Sequence, residues 1–220
     1  MFVWWLNLET TFTVLSQYSF FVQFIITLVV TLYLYTKYKK DWLKFEQFFF
    51  AFFVFITTSN FIAIFFIATQ GLSYASVIIL SNLALVLLLI AGETLMEVRN
   101  KLFLYFIPLL IFVIDTSVNV LYALNDIGEI TYRIITGIDI LLFTIPSVII
   151  YAYLTYKTKD ISLGFFVLAL LLYITGGFSL SRYTEVSMAI FYILAVICFA
   201  IATILPVIRN RLQNQSPTPS

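Results

Sequence analysis

Seven stretches of about 20 mostly apolar residues succeed one another along the chain, each long enough to cross the hydrocarbon core of a bilayer as a helix. They lie near 15–36, 47–69, 73–92, 102–124, 134–155, 162–178 and 187–208, separated by charged or turn-like breaks. The sixth is short and closes on Gly176-Gly177. The breaks are too brief to hold another domain, so residues 1–212 read as one all-α integral membrane domain, a bundle of seven transmembrane helices. Residues 213–220 end Ser216-Pro-Thr-Pro-Ser220 and read as a disordered polar tail.

Composition sharpens this reading. Hydrophobic residues make up 62% of the chain, aromatics 19% and charged residues only 10%, whereas a soluble domain carries roughly a quarter charged residues. Lipid is therefore an expected partner. The net charge of +1 is spread through short loops, which excludes the concentrated basic face that nucleic-acid binding requires. The single cysteine, Cys198, lies in an apolar run and allows neither an internal disulfide nor a cysteine metal cage. The chain has no histidine, which removes imidazole-ligated haem, histidine zinc sites and Ser-His-Asp catalysis. Glu93, Glu97 and Arg99 read as a charge cluster at a helix end. No enzyme activity, cofactor or metal is expected. Met1 to Thr11 contain neither Lys nor Arg, so a cleaved signal peptide is not expected, and Trp4 and Trp5 read as interfacial anchors.

Basic residues give the orientation, because short loops rich in Lys and Arg remain cytoplasmic. Lys37, Lys39, Lys40 and Lys44 follow helix 1, Arg99 and Lys101 follow helix 3, Lys157 and Lys159 follow helix 5, and Arg209 and Arg211 follow helix 7. These ten fall on one side, against Arg133 and Arg182 on the other. The N-terminus is expected outside and the C-terminus in the cytoplasm.

Ionisable residues inside a span are costly and are candidates for function. Asp115 in helix 4 and Asp139 in helix 5 are the two here, and Asn119 lies one turn beyond Asp115 on the same face. Asn60, Asn82 and Gln23 add large polar groups in helices 2, 3 and 1. At a rise of about 1.5 Å per residue, Asn60, Asn82 and Asp115 lie roughly 14 Å below the outer surface, Asn119 and Asp139 nearer about 8 Å, and Gln23 at a similar level. Five helices thus supply one polar layer in the outer half of the bundle. It reads either as an outward-open pocket for a small polar or cationic ligand, with Asp115 able to carry a proton, or as interhelical hydrogen bonding. A carboxyl at that depth must stay protonated or find a partner, and no Lys or Arg lies within any span. Pro108, Pro146 and Pro206 are positioned to kink helices 4, 5 and 7.

Two short matches suggest internal repetition. Tyr33-Leu-Tyr-Thr-Lys-Tyr-Lys-Lys-Asp41 resembles Tyr151-Ala-Tyr-Leu-Thr-Tyr-Lys-Thr-Lys-Asp160, and Val98-Arg-Asn-Lys-Leu102 resembles Ile208-Arg-Asn-Arg-Leu212. Both pair helices of like orientation, as a parallel 3+1+3 duplication would, although basic flanks of any Tyr-rich membrane protein share this look.

The seven-helix layout, the short basic first loop, the charged loop after helix 3 and the proline early in helix 4 resemble the seven-helix sensor regions of membrane histidine kinases, over residues 15–212. That resemblance implies a receptor-like, ligand-binding module, here without a kinase domain and so acting through a separate membrane or cytoplasmic partner. The layout is also similar to the SWEET and PQ-loop carriers, with Pro146 and its downstream basic loop matching, but helix 1 has no corresponding proline and no Pro-Gln pair occurs. A retinal receptor would need a lysine inside helix 7, which has none. A non-catalytic subunit of a membrane complex is the third reading.

Overall fold

The computed structural model describes residues 14–38, 43–66, 72–96, 106–123, 129–178 and 185–215. These residues form seven helices: α1 Val14–Tyr38, α2 Lys44–Phe66, α3 Leu72–Leu95, α4 Ile107–Ala123, α5 Glu129–Thr158, α6 Ile161–Phe178 and α7 Glu185–Gln215. α5 and α7 extend beyond the apolar stretches read from the sequence. Charge ends a hydropathy window, but backbone hydrogen bonding continues into the polar flank. α7 accordingly runs three residues, to Gln215, into the stretch expected to be disordered. Pro108 is a second correction. It sits in the first turn of α4, where a missing N–H costs nothing, so Pro146 and Pro206 are the prolines inside their helices among the described residues.

Local chemistry sets the ends that matter. The Glu46 side chain accepts a hydrogen bond from the Leu43 N–H (3.0 Å) and starts α2. At the other tight connection, Lys159 adopts φ 55° and its N–H bonds the Thr155 carbonyl (2.9 Å), closing α5. Asp160 then accepts from the Ser162 N–H (3.0 Å) and hydroxyl (2.7 Å) and starts α6. A left-handed Lys is strained where Gly is not, so Lys159→Gly is expected to stabilise the protein by about 0.5–1 kcal/mol, read as a rise in thermal midpoint.

α1, α2, α3, α5, α6 and α7 form a closed ring, each packed on the next and α7 returning to α1, while α4 packs outside it against α3 and α5. Because α4 makes one extra crossing, α3 and α5 run parallel, and so do α7 and α1. The other four contacts of the ring are antiparallel. The ring order and both parallel seams are unchanged when α1–α3 and α5–α7 are exchanged. We call the end carrying the C-termini of α1, α3, α5 and α7 the basic end.

The bundle is apolar outside, and its mostly hydrophobic interior also buries a set of polar side chains. Ile25, Val29 and Leu32 on α1, Leu110, Val113 and Ile114 on α4, and Ile190, Leu194, Ile197 and Ile201 on α7 point outward at helical spacing, while Gln23, Asn60, Asn82 and Asp115 are buried. Among the described residues three helices are long and apolar enough to cross a membrane (Tyr18–Lys37, Phe45–Phe65 and Ala189–Pro206), and Ile79–Leu95, Ile107–Leu121 and Ile161–Thr175 are shorter apolar helices. Such a surface marks a membrane protein. Hydroxyls inside it turn back on their own helices: Thr27, Ser81, Ser147 and Thr203 each donate to the carbonyl four residues earlier at 2.8–2.9 Å.

Aromatic rings fill the ring's axis toward the basic end. Phe166 stacks on Phe49 (5.0 Å) and Tyr151 (5.1 Å), and meets Phe199 at 5.7 Å; Phe199 in turn meets Phe52 edge-on at 5.2 Å. Such pairs contribute about 0.5–1.5 kcal/mol each beyond their burial.

Candidate functional site

The polar residues expected to form one layer separate into two clusters. The first lies between α3 and α4. Asp115 is 0% exposed, and both its carboxyl oxygens accept: Oδ2 from the Asn82 amide and Oδ1 from the Asn119 amide at 3.0 Å. The Asn119 amide also donates to the Asp115 carbonyl at 2.8 Å. The three residues form a clamp holding α4, which has neighbours only in α3 and α5 among the described residues, against the ring.

The second cluster faces the ring's interior. Phe24 opposite Phe61 (5.6 Å) and Tyr35 opposite Phe50 (6.3 Å) fix the antiparallel register of α1 and α2, which puts Asn60 level with Gln23. The Gln23 amide nitrogen donates to Ser19 Oγ (3.0 Å), leaving its Oε1 buried with no partner among the described residues. Asn60 is 1% exposed, and neither its Oδ1 nor its Nδ2 has a hydrogen-bond partner there. Leaving such groups unpaired costs about 1–3 kcal/mol each.

Gln23 lines a small cavity of about 20 Å³, together with Thr27, Leu85, Tyr173, Tyr192, Ala195 and Phe199 among others. Ile56, one turn before Asn60 on the same face of α2, is also in its wall. The rings of Tyr173 and Tyr192 meet edge to face at 5.1 Å. Neither tyrosine stands out from the sequence of so aromatic a chain. The signal available is a single phenol in the middle of an apolar span, where phenylalanine would pack as well and carry no hydroxyl.

A larger cavity of about 430 Å³ opens at the basic end among α1, α2, α3, α5, α6 and α7. Its rim carries Lys37, Glu46, Thr158 and Asp160, and its inner wall Phe49, Phe166 and Ala202. The polar layer in the sequence predicts a pocket open at the opposite end; this opening at the basic end is not indicated by the sequence. Polar side chains from α1, α2 and the α5–α6 turn line its mouth. Of the other candidates, the Asp139 side chain lies outside the described residues, as does the 98–102 half of the second repeat match. Glu93 Oε2 is buried near the end of α3, without a partner among the described residues.

No protein-family model, curated protein or solved structure matches this chain. The class that fold and composition define is a helical membrane protein.

Proposed function

We propose that all seven helices cross the membrane, with the N-terminus outside and the basic end in the cytoplasm, and that the protein is a small-solute carrier whose binding site is the bundle interior around Gln23, Asn60, Tyr173 and Tyr192. The observation that carries this reading is the ring with two parallel seams. Two three-helix halves related in this way can rock against each other along both seams, with α4 as the connector, and a site on the axis between them is exposed to each side in turn. The matching Tyr-rich inner ends of α1 and α5 occupy equivalent places in the two halves. Lys37, Lys157 and Lys159 at one end agree with a cytoplasmic placement.

Asp115 is not given the proton-carrying role expected from the sequence, because its oxygens are engaged by Asn82 and Asn119 away from the axis. The receptor-like reading shares the same ligand site and differs in the consequence of binding, which is a signal passed to a partner at the cytoplasmic loops. The test is uptake of a mixed pool of small neutral and charged metabolites into proteoliposomes, read by mass spectrometry. Wild type is expected to accumulate a restricted set. Gln23→Leu and Asn60→Leu should each reduce that uptake at least tenfold without lowering thermal stability, while Asp115→Asn should retain it. Solutes that raise the thermal midpoint but are not taken up would replace the carrier with the receptor-like module. Neither binding nor uptake would leave the accessory-subunit reading.

A further inference from the structure

The two cavities share more than a neighbourhood. Phe166 is in the wall of the large one and Phe199 in the wall of the small one, and their rings meet at 5.7 Å. This aromatic contact forms part of a partition between the two cavities. Helix α7 is weakened directly beneath it. Pro206 has no N–H for the carbonyl of Ala202, and the Thr203 hydroxyl bonds the carbonyl of Phe199 itself at 2.8 Å, a back-bond that favours bending. Ala202, Thr203 and Pro206 all line the large cavity. Phe199 therefore stands about two turns from a proline that borders the large cavity.

The lining of the small cavity adds a chemical restriction. Its wall is largely apolar; the polar groups its residues carry are the carboxamide of Gln23 and the hydroxyls of Thr27, Tyr173 and Tyr192, with no charged side chain among the described residues of its wall. A charged solute would lose its hydration there and gain no counter-charge. At about 20 Å³ the space admits a single water in this form, so a larger occupant requires the partition to move.

Resting on the carrier reading, we propose that the site is served from the basic end: the 430 Å³ cavity is a vestibule, Phe199 against Phe166 is the door, bending of α7 at Thr203–Pro206 opens it, and the admitted ligand is a neutral solute bearing hydrogen-bond donors and acceptors. The rim charges on Lys37, Glu46 and Asp160 face the vestibule only, where water screens them.

The route is tested with thiol chemistry and no solute, so its failure is distinct from failure of the carrier reading. In a Cys198→Ser background, Ala195→Cys places a thiol in the small cavity and Thr203→Cys one in the vestibule. Each is exposed in sealed vesicles to a membrane-impermeant methanethiosulfonate reagent from one face at a time. The vestibule thiol is expected to react quickly from the basic-end face. The Ala195→Cys thiol is expected to react at least tenfold more slowly, and Phe199→Leu, which keeps an apolar side chain in the core, should remove most of that difference from the basic-end face alone. Pro206→Ala should slow the Ala195→Cys reaction further with the partition intact, a readout that survives if the Phe199 variant fails to fold. Labelling of Ala195→Cys chiefly from the opposite face, or rates indifferent to both Phe199→Leu and Pro206→Ala, would overturn the proposal.

Discussion

Asn82→Leu is expected to destabilise the protein by about 2–3 kcal/mol, and adding Asp115→Leu to it is expected to restore most of the loss. The reason is an asymmetry between making a buried hydrogen bond and stranding one partner of it. Inside a membrane such a bond contributes only about 0.6 kcal/mol on average. Asp115, however, is fully buried, and the Asn82 amide is the donor on its Oδ2, with Asn119 serving Oδ1. Removing the Asn82 donor leaves a carboxyl oxygen in an apolar seam with no water to replace it. Removing both partners lets α3 and α4 pack as hydrocarbon. Denaturant titration of the purified variants in one detergent closes the double-mutant cycle. Equal losses in the single and double variants would show that shape at the α3–α4 contact matters and the polar clamp does not.

Gly92→Ala is the second large effect, with an expected loss of about 1–3 kcal/mol. Gly92 stands in the parallel seam between α3 and α5, where a methyl group would lie 2.9 Å from Ile150 Cγ2 and 3.2 and 3.3 Å from the Tyr151 ring. The Ile150 methyl is held by a β-branched side chain with little freedom. Tyr151 is held as firmly, since its hydroxyl donates to the Leu88 carbonyl at 2.9 Å and its ring stacks on Phe166. The helices must therefore separate, and with them one of the two seams along which the halves are proposed to move. Gly164→Ala is the matched control, because its methyl would meet Thr155 Cγ2 at an ordinary 3.6 Å. There the better helix propensity of alanine should dominate and stability should rise by up to about 1 kcal/mol. If both substitutions have the same sign, close approach of the backbones at Gly92 is not what holds the seam.

The helical class and the approximate helix positions were legible because they depend on local terms. A run of about 20 apolar residues needs lipid whatever it packs against, and its backbone needs a helix. Asp115 and Asn119 could also be paired from spacing, since residues four apart share a face. What misled was the flanks: the polar turns of α5 and α7 are as helical as their apolar middles, and hydropathy is blind to that.

Depth along a helix is likewise a local quantity, and it placed Gln23, Asn60, Asn82, Asp115 and Asn119 in neighbouring layers. Direction around the helix axis is not. Whether Asn82 faces Asp115 or Gln23 depends on which helices adjoin α3, and that is fixed by α4 being left outside the ring. The same packing decides that Gln23 and Asn60 keep unpaired polar atoms and that Tyr173 and Tyr192 become wall rather than filling. It also decides that space opens at the basic end, beside Glu46 and Asp160. Sequence by itself determined an apolar, all-helical chain with buried polar groups at set depths, since hydrophobicity and hydrogen bonding act residue by residue. Only the tertiary structure decided which of those groups clamp helices and which face a cavity, because that depends on the rotation and neighbours of each helix.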